Sequence, residues 1–327
     1  MKKRDIVKDT LRRFPNVPKK TLANYLINQY PQVFVNEKGE TDIELARSLI
    51  RYYTRSKGAQ SRNKDNTEFI NYSIKMPPTI AVNRIPYKMK PGLWLVVADL
   101  HIPFHSIKAL EIMLEYAQTQ KVDGVFINGD LQDCEAIGTW PPTSKRDFNQ
   151  EVELTIDFLD FFRKEFEGKK IIWKPGNHED RLKNYYRNKA PQLADLPYAE
   201  METILGLEDR NIEYLDRKQK VMFGKLPVLH GHEIRGGNVG LVSPARWLFL
   251  KAKSNAMAAH FHRTSNHVER TLKKETIVTW TTGCLCHLEP DFNPEANNWN
   301  WGFALVNIEN GTFEVENREI LENGQII

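Results

Sequence analysis

The amino-acid sequence predicts an α/β fold, a layered α/β-β/α sandwich, with a small helical domain at the N-terminus. From residue 93 onward, apolar runs of strand length alternate with segments of helical periodicity. Before residue 57, three short amphipathic segments show helical spacing, and a polar stretch follows them. The predicted organisation is a basic helical domain over 1–56, a linker and extended segment over 57–92, and the α/β domain over 93–327.

The N-terminal domain is predicted to contain helices over residues 2–13, 19–30 and 43–54. Prolines 15 and 18 end the first helix, because proline lacks the amide hydrogen that a helix interior requires. The segment 57–68 is polar and has no apolar periodicity, which indicates a linker.

The predicted α/β domain begins with strands and helices in the order βαβαβ, which implies parallel strands with right-handed crossovers. Side chains that carry chemistry are then expected at the carboxyl ends of these strands. The predicted elements are strands over 93–98, 122–127, 170–173, 226–229, 256–259, 276–282 and 302–308, and helices over 106–120, 151–166 and 180–209.

The composition sets limits on the class of protein. Hydrophobic residues make up 41% of the 327 residues, enough for a sizeable core. No apolar run approaches the roughly 20 residues of a membrane span, and no apolar segment follows the charged N-terminus as in a secretory signal. Three cysteines without a C-x-x-C pair favour a reducing, cytoplasmic setting. We therefore expect no membrane partner, and the oligomeric state stays open.

The net charge of +4 conceals an asymmetry. Residues 1–64 contain 15 Lys and Arg against 6 Asp and Glu, so the remainder of the chain is acidic. A basic segment indicates a polyanionic partner, and three short helices resemble a helix-turn-helix unit. Nucleic acid, with DNA favoured, is the predicted partner, and the candidate contacts are Arg47, Arg51, Arg55 and Lys57. The alternative is a basic helical arm that packs on the enzyme or on a partner protein.

Five polar motifs follow or end the apolar runs in the α/β domain. Aspartate supplies oxygen ligands and histidine supplies imidazole, a mixture that suits Mn, Fe, Zn or Ni better than Mg. None of the motifs contains a thiolate, which excludes a structural zinc knot of the cysteine type. The motifs predict a site for two metal ions that acts on phosphate: Asp99-Leu100-His101, Gly129-Asp130, Gly176-Asn177-His178-Glu179, His230 and His260-Phe261-His262.

The order D-x-H, G-D-x-x-D, G-N-H-[ED], a single His before Gly and a late H-x-H resembles the calcineurin-like metallophosphoesterase superfamily. The resemblance covers about residues 93–310 and is nearest to phage-like and bacterial members of unassigned substrate. One departure is Ala259, because the family usually has glycine before the late H-x-H motif. Alanine disfavours a positive φ, so the local turn must suit an ordinary conformation.

The resemblance implies two divalent transition-metal ions, with Mn favoured and Fe, Zn or Ni as alternatives. The first ion would be held by Asp99, His101 and His262. The second would be held by Asn177, His230 and His260, with Asp130 bridging both ions. The two ions would share a hydroxide that attacks the phosphorus in line.

Two further residues have implied roles at the reaction centre. His178 would donate a proton to the leaving oxygen or stabilise charge on the phosphoryl group, and Asp133 would orient its ring. Asp133 as a helix N-cap is the alternative. Glu179 is interpreted as structural, and His230 is preferred over His232 as the ligand because it directly ends the apolar run.

The preferred function is a phosphodiesterase or nuclease, with the basic N-terminal unit holding the polymer by its phosphates. A phosphomonoesterase acting on nucleotides or phosphoproteins, with an N-terminal unit that docks a protein, is the second hypothesis. A DNA-binding regulator with a vestigial metal site is the third, and the complete set of ligand types argues against it.

Other side chains could extend a nucleic-acid surface. Trp299 and Trp301 could stack bases, with core packing as the alternative. A solvated charged face is the alternative for the basic residues, which are Arg181, Lys183, Arg187, Arg235, Arg246 and Arg263.

Overall fold

The structure is a computed structural model that describes residues 2–15, 17–54, 81, 84–138, 147–234, 242–290 and 297–327. The chain divides into two compact units, Met1–Ala81 and Val82–Ile327. The domain boundaries after residues 56 and 92 stay predictions, and the linker predicted over 57–68 lies outside the described residues.

The N-terminal unit contains three helices close to the predicted ranges: α1 (Lys3–Arg13), α2 (Lys19–Gln29) and α3 (Ile43–Tyr53). The Asp42 carboxylate caps α3 by accepting from the amides of Glu44 and Leu45 at 2.8 and 3.1 Å. Apolar side chains from all three helices and from the α2–α3 connection form the core of this unit: Ile6, Val7, Leu22, Ala23, Leu26, Phe34, Ala46 and Ile50.

The connection between α2 and α3 spans residues 30–42 and contains a backbone bridge between Val35 and Thr41. A helix-turn-helix motif joins its two helices by a turn of about three or four residues. The connection is longer than such a turn, and the resemblance to a helix-turn-helix unit stays a prediction.

The second unit contains two six-stranded sheets. In the first, β2 (Gly92–Val97), β3 (Gly124–Asn128) and β4 (Lys170–Lys174) are parallel neighbours, as the βαβαβ pattern predicts. The two outer strands of this sheet were not predicted from the sequence; they are β5 (Ile212–Tyr214) and β12 (Thr312–Ile320). The strand β11 (Trp301–Glu309) pairs antiparallel with both β2 and β12, so the sheet is mixed.

The members of the second sheet are β1 (Tyr87–Lys88), β6 (Val221–Phe223), β7 (Leu226–Val228), β8 (Ala256–Ala258), β9 (Ser265–Arg270) and β10 (Thr276–Thr281). Their order across the sheet is β1-β6-β7-β8-β10-β9. Of these strands, β7, β8 and β10 were predicted from their apolar runs. The other three were missed because none of them contains an apolar run longer than three residues.

The helices of this unit are α4 (Ile107–Gln120), α5 (Phe148–Glu165), α6 (Asp180–Lys189), α7 (Met201–Ile204) and α8 (Pro244–Ala252). The single helical stretch predicted over 180–209 is wrong. Pro191 and Pro197 each begin a short 3-10 turn instead, because a proline cannot continue the α-helical hydrogen-bond ladder.

Two cores follow from the alternation of side chains along β2. Leu95 and Val97 belong to the core formed with the helices, whereas Trp94 and Val96 belong to the core shared with the second sheet. The first sheet therefore packs against helices on one face and against the second sheet on the other, which is the predicted layered sandwich. None of the helices in the described ranges is long and apolar enough to cross a membrane.

Candidate metal centre

Polar side chains gather just beyond the carboxyl ends of five strands, namely β2, β3, β4, β7 and β8. Parallel strands end at a common edge, so residues far apart in sequence meet there. Of the seven predicted ligands, the six that carry carboxylate or imidazole groups form two clusters of candidate ligand atoms: Asp99, His101 and His262 in the first, and Asp130, His230 and His260 in the second. A third group, formed by His101, Asp130 and His178, connects the two clusters.

The first cluster contains Asp99, His101 and His262, the three residues assigned to the first ion. The Nε2 atoms of the two histidines lie 3.1 Å apart, and His262 Nε2 lies 3.6 Å from Asp99 Oδ1. Two nitrogens bound at right angles to one ion, each about 2.1 Å from it, are about 3 Å apart. The separation therefore fits a shared ion.

The second cluster contains Asp130, His230 and His260. Asp130 Oδ2 lies 3.0 Å from His230 Nε2 and 4.0 Å from His101 Nε2, so this carboxylate stands between the two clusters. The Nδ1 of His230 donates to the carbonyl of Asn128 at 2.6 Å, which directs Nε2 toward the centre.

The carboxylates around His230 favour a positive charge at the second cluster. Burial lowers the pKa of His230, but the carboxylates of Asp130 and Asp99 outweigh it and raise that pKa to about 10. Burial and the neighbouring His230 lower the pKa of His260 to about 4, which keeps its ring neutral and able to bind a cation.

Buried polar atoms without hydrogen-bond partners test whether metal ions fit this site. Asp99 Oδ1 and Asn177 Oδ1 are buried and make no hydrogen bond within the part of the chain that the structure describes. His230 Nε2, although 3.0 Å from Asp130 Oδ2, also forms no hydrogen bond of acceptable geometry there. Such buried atoms are normally satisfied, and cations bound at the two clusters would satisfy them. The carboxylate, amide and imidazole donors suit divalent transition metals.

The backbone at the centre is strained. Asp99, His101, Asp130, His260 and His262 all have positive φ, between 50° and 71°. This left-handed region is uncommon for residues other than glycine, and its use at five predicted ligands indicates a functional constraint. Ala259 avoids that region, so the departure from the family pattern leaves the turn undisturbed.

Gly176 permits the close approach of two loops. A Cβ at this position would overlap the Asp130 carboxylate and would lie 2.7 Å from the Asp130 amide nitrogen. The glycine is therefore required by packing against the candidate bridging residue.

His178 and Asp133 are adjacent in the structure. The Nδ1 of His178 donates to the Asp133 carbonyl at 2.7 Å, whereas Asp133 Oδ1 lies closer to His101 Nδ1, at 2.8 Å, than to His178 Nδ1, at 3.2 Å. Burial raises the pKa of Asp133, but its hydrogen bonds to the two histidines outweigh burial and lower it. The Asp133 carboxylate thus supports a candidate ligand as well as His178.

Arg181 completes the surroundings of His178. Its Nη1 donates to the Asp133 carbonyl at 2.9 Å, and its Nη2 lies 3.0 Å from His178 Nε2. From the sequence, Arg181 was expected to extend a nucleic-acid surface or, as the alternative, to lie on a solvated charged face. Its position three residues after His178 gave no sign of this contact.

Glu179 has a larger structural role than its sequence context indicates. The buried carboxylate accepts from the amides of Asp130, Leu131, Gln132 and Gly176 at 2.7–3.1 Å. Burial and the charge of Asp130 raise its pKa to about 7. One side chain therefore joins the loops after β3 and β4.

His232, the alternative to His230, belongs to no candidate metal cluster in the described residues. Its ring centroid lies 5.4 Å from that of His230. Next to it, Glu233 forms a 2.5 Å ion pair with Lys174, whose side chain is 1% exposed. This pair connects the end of β4 with the loop that carries His230.

The candidate nucleic-acid contacts are only partly described. Arg47 and Arg51 both form ion pairs with Glu44, the latter at 3.1 Å. Arg55, Lys57 and Arg235 lie outside the described residues.

The two tryptophans differ in their surroundings. The Trp299 ring lies 4.1 Å from the His262 ring, at the edge of the first cluster, and is half-buried. Trp301 donates from Nε1 to the Cys286 carbonyl at 2.9 Å and packs against the helix-side core. Trp301 therefore follows the core-packing alternative, whereas Trp299 borders the centre.

The chain is similar in sequence to two phage proteins. The chain is 24% identical over 235 residues to Gene 54 protein of Mycobacterium phage L5, covering 66% of this chain and 88% of that protein. It is 28% identical over 151 residues to Gene 54 protein of Mycobacterium phage D29, covering 44% and 57%.

Solved structures with likeness to the chain include a single mutant of Vps29 from Entamoeba histolytica, with 12% identity and a TM-score of 0.37. The match covers 72% of this chain and 98% of that one. Another is Yfce, a phosphoesterase from E. coli, with 14% identity and a TM-score of 0.34, covering 72% and 96%.

The family model for calcineurin-like phosphoesterase matches residues 94–296, more than half of the chain. That range contains all seven predicted ligands together with His178 and Asp133. The chain therefore belongs to the calcineurin-like phosphoesterase family, whose members hydrolyse phosphate esters with two metal ions.

Proposed function

We propose that this chain is a phosphodiesterase that cleaves nucleic acid in the cytoplasm with two divalent transition-metal ions, Mn favoured. Asp99, His101 and His262 would hold one ion; Asn177, His230 and His260 would hold the other, with Asp130 between them. The ions would supply an activated water nucleophile and charge neutralisation at the phosphate. A cytoplasmic setting is supported by three cysteines that are all free.

The position of Trp299 is the observation that favours nucleic acid as the substrate. Its half-buried ring packs against a candidate ligand of the first ion, so a phosphate bound at the centre would bring an adjoining base within reach of the indole. Stacking of a base on an aromatic side chain is worth about 1–3 kcal/mol. A small phosphomonoester would not require such a platform.

His178 and Arg181 are assigned to the phosphate and leaving oxygen. Burial lowers the pKa of His178, but the carboxylates of Asp130 and Asp133 outweigh it, and the pKa is raised. The protonated ring could donate from Nε2, and Arg181 Nη2, which lies 3.0 Å from that nitrogen, would then turn its hydrogen from the ring to the phosphate. A phosphate oxygen beside the two nitrogens would accept from both as charge develops on it.

Two diesters with the same leaving group test the role of Trp299. In thymidine 5′-(p-nitrophenyl phosphate) the phosphate bears a nucleoside, whereas in methyl p-nitrophenyl phosphate it bears a methyl group. We expect Trp299→Ala to lower kcat/KM for the nucleoside ester about 5- to 150-fold, from the stacking energy, and to change the methyl ester little. Trp299→Phe should retain most of the difference. Equal losses of kcat/KM for both esters would show that Trp299 does not act as a stacking platform for the base.

A phosphomonoester is the competing substrate. If the Mn-loaded protein hydrolyses p-nitrophenyl phosphate but neither diester nor an oligonucleotide, the chain is a phosphomonoesterase and the nuclease proposal fails. Hydrolysis of the nucleoside diester and of the oligonucleotide supports the proposal.

The N-terminal unit is proposed to hold the polymer through its phosphates. Arg12, Lys19 and Lys20 are exposed on α1 and α2, whereas Arg47 and Arg51 are engaged by Glu44. Phosphate contacts release counterions, so affinity should fall steeply with salt.

The corresponding test uses the full chain. Replacing Arg12, Lys19 and Lys20 with glutamate should weaken oligonucleotide binding and flatten its salt dependence. A matched triple replacement of exposed lysines in turns of the second unit, Lys121, Lys225 and Lys273, should have a smaller effect. Equal effects of the two triples would favour an N-terminal unit that docks a protein.

A further inference from the structure

A second group of metal-ligating side chains adjoins the candidate centre. His262, Cys284 and Cys286 are buried, and one ligand atom from each lies within 4.8 Å of the other two. Both thiols are free. We call these three residues the thiol cluster. Its members come from two segments, the loop after β8 and the loop after β10.

The backbone holds the thiol cluster in place. The amide of Leu285, between the two cysteines, donates to the Asp99 carbonyl at 3.1 Å, and the amide of Cys284 donates to the Asn300 carbonyl at 3.0 Å. The C-x-C segment is thus tied to a loop that carries a candidate ligand of the first ion.

His262 faces both groups. Its Nε2 points at His101, whereas Cys286 Sγ lies 3.9 Å from its Nδ1. A metal-binding histidine almost always donates its other ring hydrogen to a carboxylate, a backbone carbonyl or water. Here the neighbour of that nitrogen is a thiol, which is a weak hydrogen-bond acceptor and, once deprotonated, a strong ligand for soft cations.

We propose that the thiol cluster is a binding site for one thiophilic divalent cation, of which Zn²⁺ is the cellular example and Cd²⁺ the probe. Two thiolates and an imidazole are a donor set that zinc sites use. Binding forms two metal–sulfur bonds and one metal–nitrogen bond and releases the two thiol protons to solvent. The two thiolate charges balance the charge of the cation.

Occupancy of this site has a consequence for catalysis. The cation would engage Nδ1 of His262, so a ring whose Nε2 holds the first catalytic ion would release its Nδ1 proton to solvent and share its electron density between two cations. Zinc in excess should therefore inhibit the enzyme through the cysteines. This consequence rests on the proposed ligand role of His262, whereas cation binding by the thiol cluster does not.

Cd²⁺ titration of the metal-depleted full chain tests the site without substrate. We expect a thiolate-to-cadmium charge-transfer absorption in the ultraviolet that requires both cysteines, so Cys284→Ser and Cys286→Ser should each abolish or strongly reduce it. Cys134→Ser is the matched control, because Cys134 is equally buried and belongs to no candidate metal cluster in the described ranges. It should keep the absorption.

Cadmium NMR of the wild-type chain gives an answer that does not depend on variant folding. A resonance in the range of sulfur-ligated cadmium supports the thiol cluster. Resonances only in the range of nitrogen and oxygen ligands, or an absorption that survives both serine substitutions, would overturn the proposal. Hydrolysis of the diesters by the Mn-loaded enzyme is measured separately, so failure of cadmium binding leaves the proposed function intact.

Discussion

The carboxylate of Glu179 accepts a hydrogen bond from the backbone amide of Asp130 at 3.1 Å, and it accepts three more from neighbouring amides. The candidate bridging ligand is thus held in its left-handed conformation by a side chain from another loop. A carboxylate has about four lone-pair positions, and the four donors occupy all of them.

Glu179→Gln should weaken this support. The glutamine amide group has one acceptor oxygen in place of two, so some of the four buried donors lose their partner. We expect Mn²⁺ affinity to fall about 10- to 100-fold, as for other groups that support ligands. Isothermal titration calorimetry measures this, with the exposed Glu111→Gln on α4 as control. Unchanged affinity would contradict the assigned role.

His178→Gln and Asp130→Asn should both reduce turnover, but for different reasons. His178 is assigned to proton donation, which contributes about 10²- to 10⁴-fold, so its loss should lower kcat with little change in metal affinity. Asp130 is assigned to both ions, so Asp130→Asn should lower metal affinity as well. Steady-state kinetics and metal titration of each variant separate the two effects. A His178→Gln enzyme with full kcat would remove His178 from the mechanism.

The ion pair between Lys174 and Glu233 should show strong coupling. Because Lys174 is almost fully buried, Glu233→Gln leaves an uncompensated charge in the interior and should cost about 3–5 kcal/mol of unfolding free energy. The double variant Lys174→Met and Glu233→Gln should recover much of that loss. Urea unfolding of the two single variants and the double variant measures the coupling. Additive losses would show that the pair does not act as a unit.

Glu151 should make the protein less stable at high pH. Burial, opposed by the Ala136 amide and assisted by the charges of Asp133 and Glu135, raises the pKa of Glu151 to about 7. A raised carboxyl pKa does not reduce the free energy of unfolding at a pH below the unfolded-state pKa of 4.5. The loss of unfolding free energy grows as the pH rises from 4.5 to about 7. Above that range the loss is complete.

Glu151→Gln should therefore raise stability at pH 8, by on the order of 3 kcal/mol at most, and leave it nearly unchanged at pH 4.5. Thermal unfolding at the two pH values checks this, with Glu153→Gln on the exposed side of α5 as control. A gain of equal size at both pH values would show that titration of Glu151 is not the cause.

The sequence predicted the layered fold because long apolar runs alternate with helical patterns, a local signal. It missed β1, β5, β6, β9 and β12. These strands are short or half-exposed, and their residues form strands only through pairing with neighbours. The prediction of one helical stretch over 180–209 was wrong. The apolar residues of this segment reach the core from several short helices and turns instead of from one continuous helix.

The candidate site divides in the same way. The residues that meet at the centre could be predicted from the sequence, because the motifs follow predicted strands and parallel strands end at one edge. Their assignment as metal ligands came from the resemblance to the family and stays a prediction. The four amides that meet Glu179, the contact of Arg181 with His178 and the thiols beside His262 depend on loops packed together from distant parts of the chain. Only the tertiary structure decides such neighbours, since loop conformation follows from packing and buried hydrogen bonds and carries no periodic signal in sequence.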